Sequence, residues 1–167
     1  MATDYVYAIY AEGDYVWFGG IEGEFTRYDI RTDTYTYYPI DCIGDIKPGK
    51  GGSLLIAGCS GLAVFDKKSG DTQWHQTFGD ISLHYPVRCL MQSSSGDTWL
   101  ATDGEGLIRV GPDGKEVHAY TVDDNLVPIP STACWRITKG VSGSVRRRNC
   151  IAWTAPGDII ISANDFF

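Results

Sequence analysis

With 167 residues, the chain can form one domain with a real core, and two full domains would be cramped. Its formal net charge of −7 argues against general nucleic-acid binding, which needs cations to displace counterions from phosphates. The one basic cluster, Arg146-Arg147-Arg148, is too short for a polybasic arm.

The 20 glycines, 10 tyrosines and 13% aromatic content suit short strands joined by tight turns. No long stretch places apolar residues at the i, i+3, i+4, i+7 spacing of a helix. Read from the N-terminus, VYAIYA is a first strand, and the turn Gly13-Asp14 leads into the apolar burst YVWFGG. A Gly-containing turn (IEGEF), a third strand (FTRYD), a turn (RTDT) and a fourth strand (YTYYP) follow. The same plan returns as CIGDIK, GGSLLIAG, CSGL, LAVFD, KKSGDT and QWHQT. A third copy reads VRCLMQ, GDTWLAT, DGEGL, LIRV, GPDGKE and VHAYT. Trp17, Leu55 and Trp99 correspond, so one unit is four antiparallel strands in about 40 to 45 residues, the spacing of a propeller blade.

Adjacent apolar residues in the second strand, as in Leu54-Leu55-Ile56, imply cover on both faces of the sheet, which neighbouring blades would supply. The fourth unit is irregular. STACWRITKG resembles an opening strand, and Arg146 stands near the expected Trp position. CIAWTAPGDIIISAN then supplies either the outer strands of a compact fourth blade, the favoured reading, or the start of a fifth. The expected fold is therefore all-β, a β-propeller forming a partial ring of about four blades in a single unit. The blades span approximately 5–41, 42–86, 87–130 and 131–167. Blade faces left without neighbours should be covered by missing blades or by self-association.

Five cysteines without a CxxC spacing read as buried or half-buried thiols. No stretch approaches the roughly 18 apolar residues of a membrane span. No signal peptide is read at the N-terminus, which implies a cytoplasmic protein or a piece of a longer one.

Catalytic and cofactor motifs are weak throughout. GDIKPGKGG (44–52) has the spacing of a phosphate loop, but Gly51 stands where Ser or Thr is needed, and a strand follows instead of a helix. GVSGS (140–144) falls one residue short of a nucleophile elbow. His75, His84 and His118 have no metal-ligand spacing. Asp103 and Glu105 in TDGEG suit a turn better than Ca²⁺, which takes about six to eight oxygens. No cofactor or metal is expected.

In a propeller, the connections between blades and the turns between second and third strands gather at one end of the channel. The chemistry-bearing residues in those segments are Tyr38, His84, Tyr85, Arg88, Asp103, Glu105, Trp135 and Arg136. Flat aromatic faces would stack on sugar rings, and Arg88 and Arg136 would grip acidic groups.

Gly96-Asp97-Thr98-Trp99-Leu100-Ala101-Thr102 with Gly106-Leu107 resembles the two-component regulator propeller repeat. Gly13-Asp14 with Trp17, Gly19 and Tyr28-Asp29 is similar, and the middle copy keeps Gly61-Leu62 and Phe65-Asp66 but has Leu55 for Trp. The resemblance covers roughly residues 5 to 140; the tail departs from it. It implies a non-catalytic, ligand-sensing module, often for a glycan fragment, from the periplasmic region of a membrane-anchored hybrid histidine kinase. YDIRTDTYTYYPI also resembles repeats of streptogramin-type lyases, which leaves a propeller enzyme as an alternative, beside a protein-interaction scaffold.

Overall fold

In the computed structural model, residues 5–121 and 123 are described in full, together with the strand backbones Trp135–Lys139, Ile151–Ala152 and Ile159–Ala163. The expectations attached to Arg146–Arg148, to residues 140–144, to the connection 127–134, and to Cys134 and Cys150 fall outside these residues.

Three four-stranded antiparallel sheets follow one another in chain order. Sheet one holds β1 (Ala8–Glu12), β2 (Tyr15–Gly19), β3 (Phe25–Asp29) and β4 (Thr34–Tyr38). Sheet two holds β5 (Ile43–Pro48), β6 (Leu54–Gly58), β7 (Gly61–Phe65) and β8 (Thr72–His75). A small hairpin, β9 (Thr77–Phe78) with β10 (Ile81–Ser82), precedes sheet three: β11 (Val87–Gln92), β12 (Thr98–Thr102), β13 (Leu107–Val110) and β14 (Val117–Tyr120). In each sheet the strands meander in sequence order. The first strands of successive sheets lie side by side: β1 beside β5, and β5 beside β11. The fold is thus an all-β partial propeller.

The turns explain the repeating letters. Asp29 and Asp66, which end the third strands, each accept two backbone N–H groups from the next turn, Asp29 from Arg31 and Thr32, Asp66 from Lys68 and Ser69. Such an Asx turn reverses the chain without a partner from elsewhere. The hydrogen bonds from the Lys68 and then the Ser69 amides hold the Asp66 carboxyl below its ordinary pKa. Gly13 sits at φ +59 in the β1–β2 hairpin, where a side chain would be strained.

The core lies between the sheets. Leu54 and Ile56 of β6 point to sheet one and pack with Trp17, Phe25 and Phe65. Leu55 and Ala57 point the other way and pack with Leu90, Leu100 and Ile108 of sheet three. The run Leu54-Leu55-Ile56 therefore feeds two cores, as strand alternation requires when both faces are covered. Trp17 is the centre of the first core, stacked on Phe25 at 5.4 Å and edge-on to Phe65 at 5.5 Å.

Close approach at the inner rim needs small residues and polar links. A Cβ on Gly44 would meet the Arg88 carbonyl oxygen at 2.7 Å, so glycine there lets β5 lie against β11. Buried Asp45 accepts the Leu90 N–H from that neighbouring strand at 3.1 Å and the Ile46 N–H at 2.8 Å. The Ile43 N–H donates to the Gly20 carbonyl at 2.8 Å, tying sheet two to sheet one.

Two expectations are corrected. Cys42 and Cys59 form a disulfide rather than standing as thiols, while Cys89 is buried. The bond forms because the connection into sheet two meets the β6–β7 turn, bringing the two Cα atoms to 5.5 Å. The fourth sheet has three strands in the order β15 (Trp135–Lys139), β17 (Ile159–Ala163), β16 (Ile151–Ala152), with β15 beside β11. The C-terminal segment thus supplies both remaining strands: β16 lies outermost, as expected of an outer strand, whereas β17 takes the second place, paired Trp135 to Ala163 through Lys139 to Ile159.

Candidate functional site

At one end of sheet three, the connection from sheet two meets the β12–β13 turn. The Asp103 N–H donates to the Pro86 carbonyl at 3.1 Å, and the Thr102 N–H donates to the Gly106 carbonyl at 3.0 Å. The Thr102 hydroxyl accepts the Glu105 N–H at 2.8 Å and donates to the Gly106 carbonyl at 3.0 Å, so the turn is braced from within.

Glu105 then reaches across to the connection. Its carboxylate accepts the His84 N–H at 2.5 Å and the Tyr85 N–H at 3.3 Å, and the His84 Nδ1 lies 3.3 Å from Oε1. One carboxylate thereby satisfies two backbone donors that no strand pairs. Tyr85 lies over the turn: a Cβ on Gly104 would come within 2.5 Å of its ring, so only glycine admits this packing. The other side of the ring is open to solvent, since Tyr85 is exposed.

Arg88 is positioned by a β-bulge. The β11–β12 register slips between Val87 and Cys89, leaving Arg88 as the extra residue and re-aiming its side chain. Its Nε and Nη2 lie 2.7 and 2.6 Å from Asp103 Oδ2. The same bulge in sheet two, between Ile43 and Asp45, carries Gly44, which has no side chain to aim.

Five residues singled out in the sequence, His84, Tyr85, Arg88, Asp103 and Glu105, therefore form one contiguous group. Its surface presents an aromatic face, an exposed imidazole and a charge-paired guanidinium–carboxylate. Arg88, which the sequence offered as a grip for acidic groups, is paired with Asp103 through Nε and Nη2. Asp103 and Glu105 take protein partners, and among the described residues no three His, Cys, Asp or Glu side chains converge as a metal site would require.

Tyr38 stands apart. It is half-buried in the first core, 4.8 Å from the Phe65 ring and 6.0 Å from Trp17, with Gly70 against its edge. Its place in β4, opposite Phe25, turns it toward sheet two, away from the group at the end of sheet three. Trp135 and Arg136 open β15, opposite Ala163 and Ser162; their side chains are outside the described residues.

Sequence reasoning missed Thr102, Gly104 and the Cys42–Cys59 bond. Aligned on Leu55 and Trp99, Cys59 and Asp103 take the same place in the second-to-third-strand turn. In both sheets that turn residue donates its N–H to the residue preceding the first strand, Cys59 to Cys42 at 3.2 Å and Asp103 to Pro86. The disulfide in sheet two and the Arg88–Asp103 pair in sheet three are thus two chemistries serving one clamp. Superposing the repeats offers a signal for it, since both cysteines flank strands that pair.

No family model and no curated protein matches the chain. Solved structures from B. thetaiotaomicron do. One is described as the extracellular domain of a hybrid two component system, BT3049: TM-score 0.59, 16% identity, covering 72% of this chain and 16% of that one. Another is described as the extracellular domain of the hybrid two component system BT4673: TM-score 0.57, 17% identity, covering 68% of this chain. A further structure of BT4673, described as a one component system, aligns with TM-score 0.58 at 18% identity. The chain spans about 16% of the length of these structures, and over that span it shares the fold of their extracellular domains.

Proposed function

We propose that this chain is a non-catalytic ligand-sensing module of a two-component regulator, binding a glycan fragment at the loop end of sheet three. The observation that carries the reading is the grouping of His84, Tyr85, Arg88, Asp103 and Glu105 from two segments on a rigid sheet end. An aromatic face backed by glycine, flanked by paired charges, offers stacking and hydrogen bonds to a polar ring at low ordering cost. The likeness of fold to extracellular domains of hybrid two component systems supports the sensing role. A disulfide persists in oxidising surroundings, which supports a periplasmic location. Ligand contact at this end would bias how sheets or subunits pack, and through that a downstream partner.

Isothermal titration and thermal shift against a panel of oligosaccharides test the reading. Binding that Tyr85→Ala abolishes, with the melting temperature of the unliganded protein unchanged, is the expected result. Binding that survives Tyr85→Ala, or turnover of any glycan tested, overturns it.

A further inference from the structure

Charge is sorted between the two ends of the sheets. The turns at the end away from Tyr85 carry Arg31, Lys50, Lys67, Lys68 and Lys115, mixed with acids. At the end that holds Tyr85, Arg88 is the one lysine or arginine among the described residues, and Asp103 pairs with it. The acids of that end include Glu22 and Glu24 in the β2–β3 turn, Asp41 just before β5, and Glu105. These loops adjoin: the Ile43 N–H donates to the Gly20 carbonyl, and Gly44 lies against the Arg88 backbone. Glu22 and Asp41 are exposed. The rim around the candidate site is therefore negative, and the charge of Arg136, at the start of β15, would reduce that excess without reversing it.

The polar atoms beside Tyr85 carry the same preference. The His84 Nδ1 lies 3.3 Å from Glu105 Oε1, while the side chain is 76% exposed. In the neutral imidazole, a proton on Nδ1 faces that carboxylate and leaves Nε2 as an acceptor on an exposed ring. Such an acceptor takes the proton of a sugar hydroxyl and repels a carboxylate or sulfate. The Tyr85 ring stacks on a sugar without needing any charge on it.

We infer that this site excludes acidic sugars, so that its ligand is a glycan carrying no carboxylate or sulfate. The inference rests on the glycan-sensing reading above and adds the charge class of the ligand. A uronic acid or sulfated ring over Tyr85 would set a second anion beside Glu105, inside a field of like charge from Glu22 and Asp41. An uncharged ring meets the same aromatic face and the same hydroxyl acceptor without that repulsion.

Isothermal titration with paired oligosaccharides tests the inference, the members of a pair differing only at carbon six, a hydroxymethyl in one and a carboxylate in the other. Where the neutral member binds, the acidic one should bind about tenfold more weakly or worse at low ionic strength. Added salt should narrow that gap and leave the neutral member's affinity unchanged. Glu22→Lys combined with Asp41→Lys should tighten binding of the acidic member by about threefold or more at low salt. Both positions are exposed, so the double variant should keep the wild-type circular dichroism spectrum. An acidic member that binds as tightly as its neutral twin, or a gap that the double variant leaves unaltered, overturns the inference while the sensing reading stands. A panel in which no member binds overturns the sensing reading, and this inference with it.

Discussion

Arg109 reaches across sheet three to place Nε at 3.1 Å and Nη2 at 2.8 Å from the same oxygen, Oδ1 of Asp97. The other oxygen accepts the hydroxyls of Ser95 at 2.5 Å and Ser93 at 3.2 Å. Asp97 is the acid of the Gly96-Asp97 turn that precedes Trp99, and Arg109 lies opposite Trp99 in the register. In sheet one the equivalent Arg27 has Tyr15 where Asp97 stands, and its guanidinium lies 5.0 Å from that ring instead.

The Asp97 carboxyl is held below its ordinary value of 3.8, first by the Ser95 hydroxyl and then by Arg109 and Ser93, against the opposing effect of burial. A folded-state pKa below the unfolded one contributes stability that is fully present above about 3.8 and lost as pH falls through the lower value. Asp97→Ala should cost about 2 kcal/mol in urea unfolding at neutral pH. Asp97→Asn should flatten the acid limb of the stability profile; an unchanged limb would show that other carboxylates set it.

The Cys42–Cys59 bond closes a loop with a sequence separation of 17 residues. A loop of that length contributes about 3 kcal/mol on the chain-entropy account. Thermal melts should therefore shift down with reductant, Cys59→Ser should reproduce the shift, and reductant should add nothing to that variant.

Ile9 and Ile46 offer a matched pair, the same residue at the same register position under different cover. Ile46→Ala should destabilise by about 2 to 5 kcal/mol, as a cavity opens between sheets. Ile9→Ala should stay within about 0.5 kcal/mol at concentrations where the chain is monomeric. Chemical denaturation of the two variants checks the ratio.

Glu105 holds the 84–85 connection through backbone donors, so Glu105→Ala should free them. Amide hydrogen exchange at His84 and Tyr85 should speed up, with β11 and β12 protected as before. Exchange that quickens across the whole of sheet three would place Glu105 in global stability instead.

The repeat was legible because its causes are local. Gly-Asp before the burst, Trp in it and Tyr-Asp or Phe-Asp closing the third strand report a braced turn, a buried plug and an Asx turn, each settled within a few residues. Adjacent Leu54, Leu55 and Ile56 foretold cover on both faces, and the two cores divide those side chains accordingly. The grouping of His84, Tyr85, Arg88, Asp103 and Glu105 was within reach because propeller topology assigns their loops to one end.

Other features depended on which distant segments meet. Tyr38 turned inward because β4 pairs opposite Phe25; Arg88 turned to Asp103 because a bulge re-aimed it; and Cys42 found Cys59 across an inter-sheet connection. The fourth sheet took β17 into its second place, where the sequence suggested an outer one. Strand alternation and turn chemistry act over a handful of residues, so the sequence by itself determined the sheets and their two-sided burial. Partners across longer stretches are chosen by the stacking of whole sheets, and those only the tertiary structure decided.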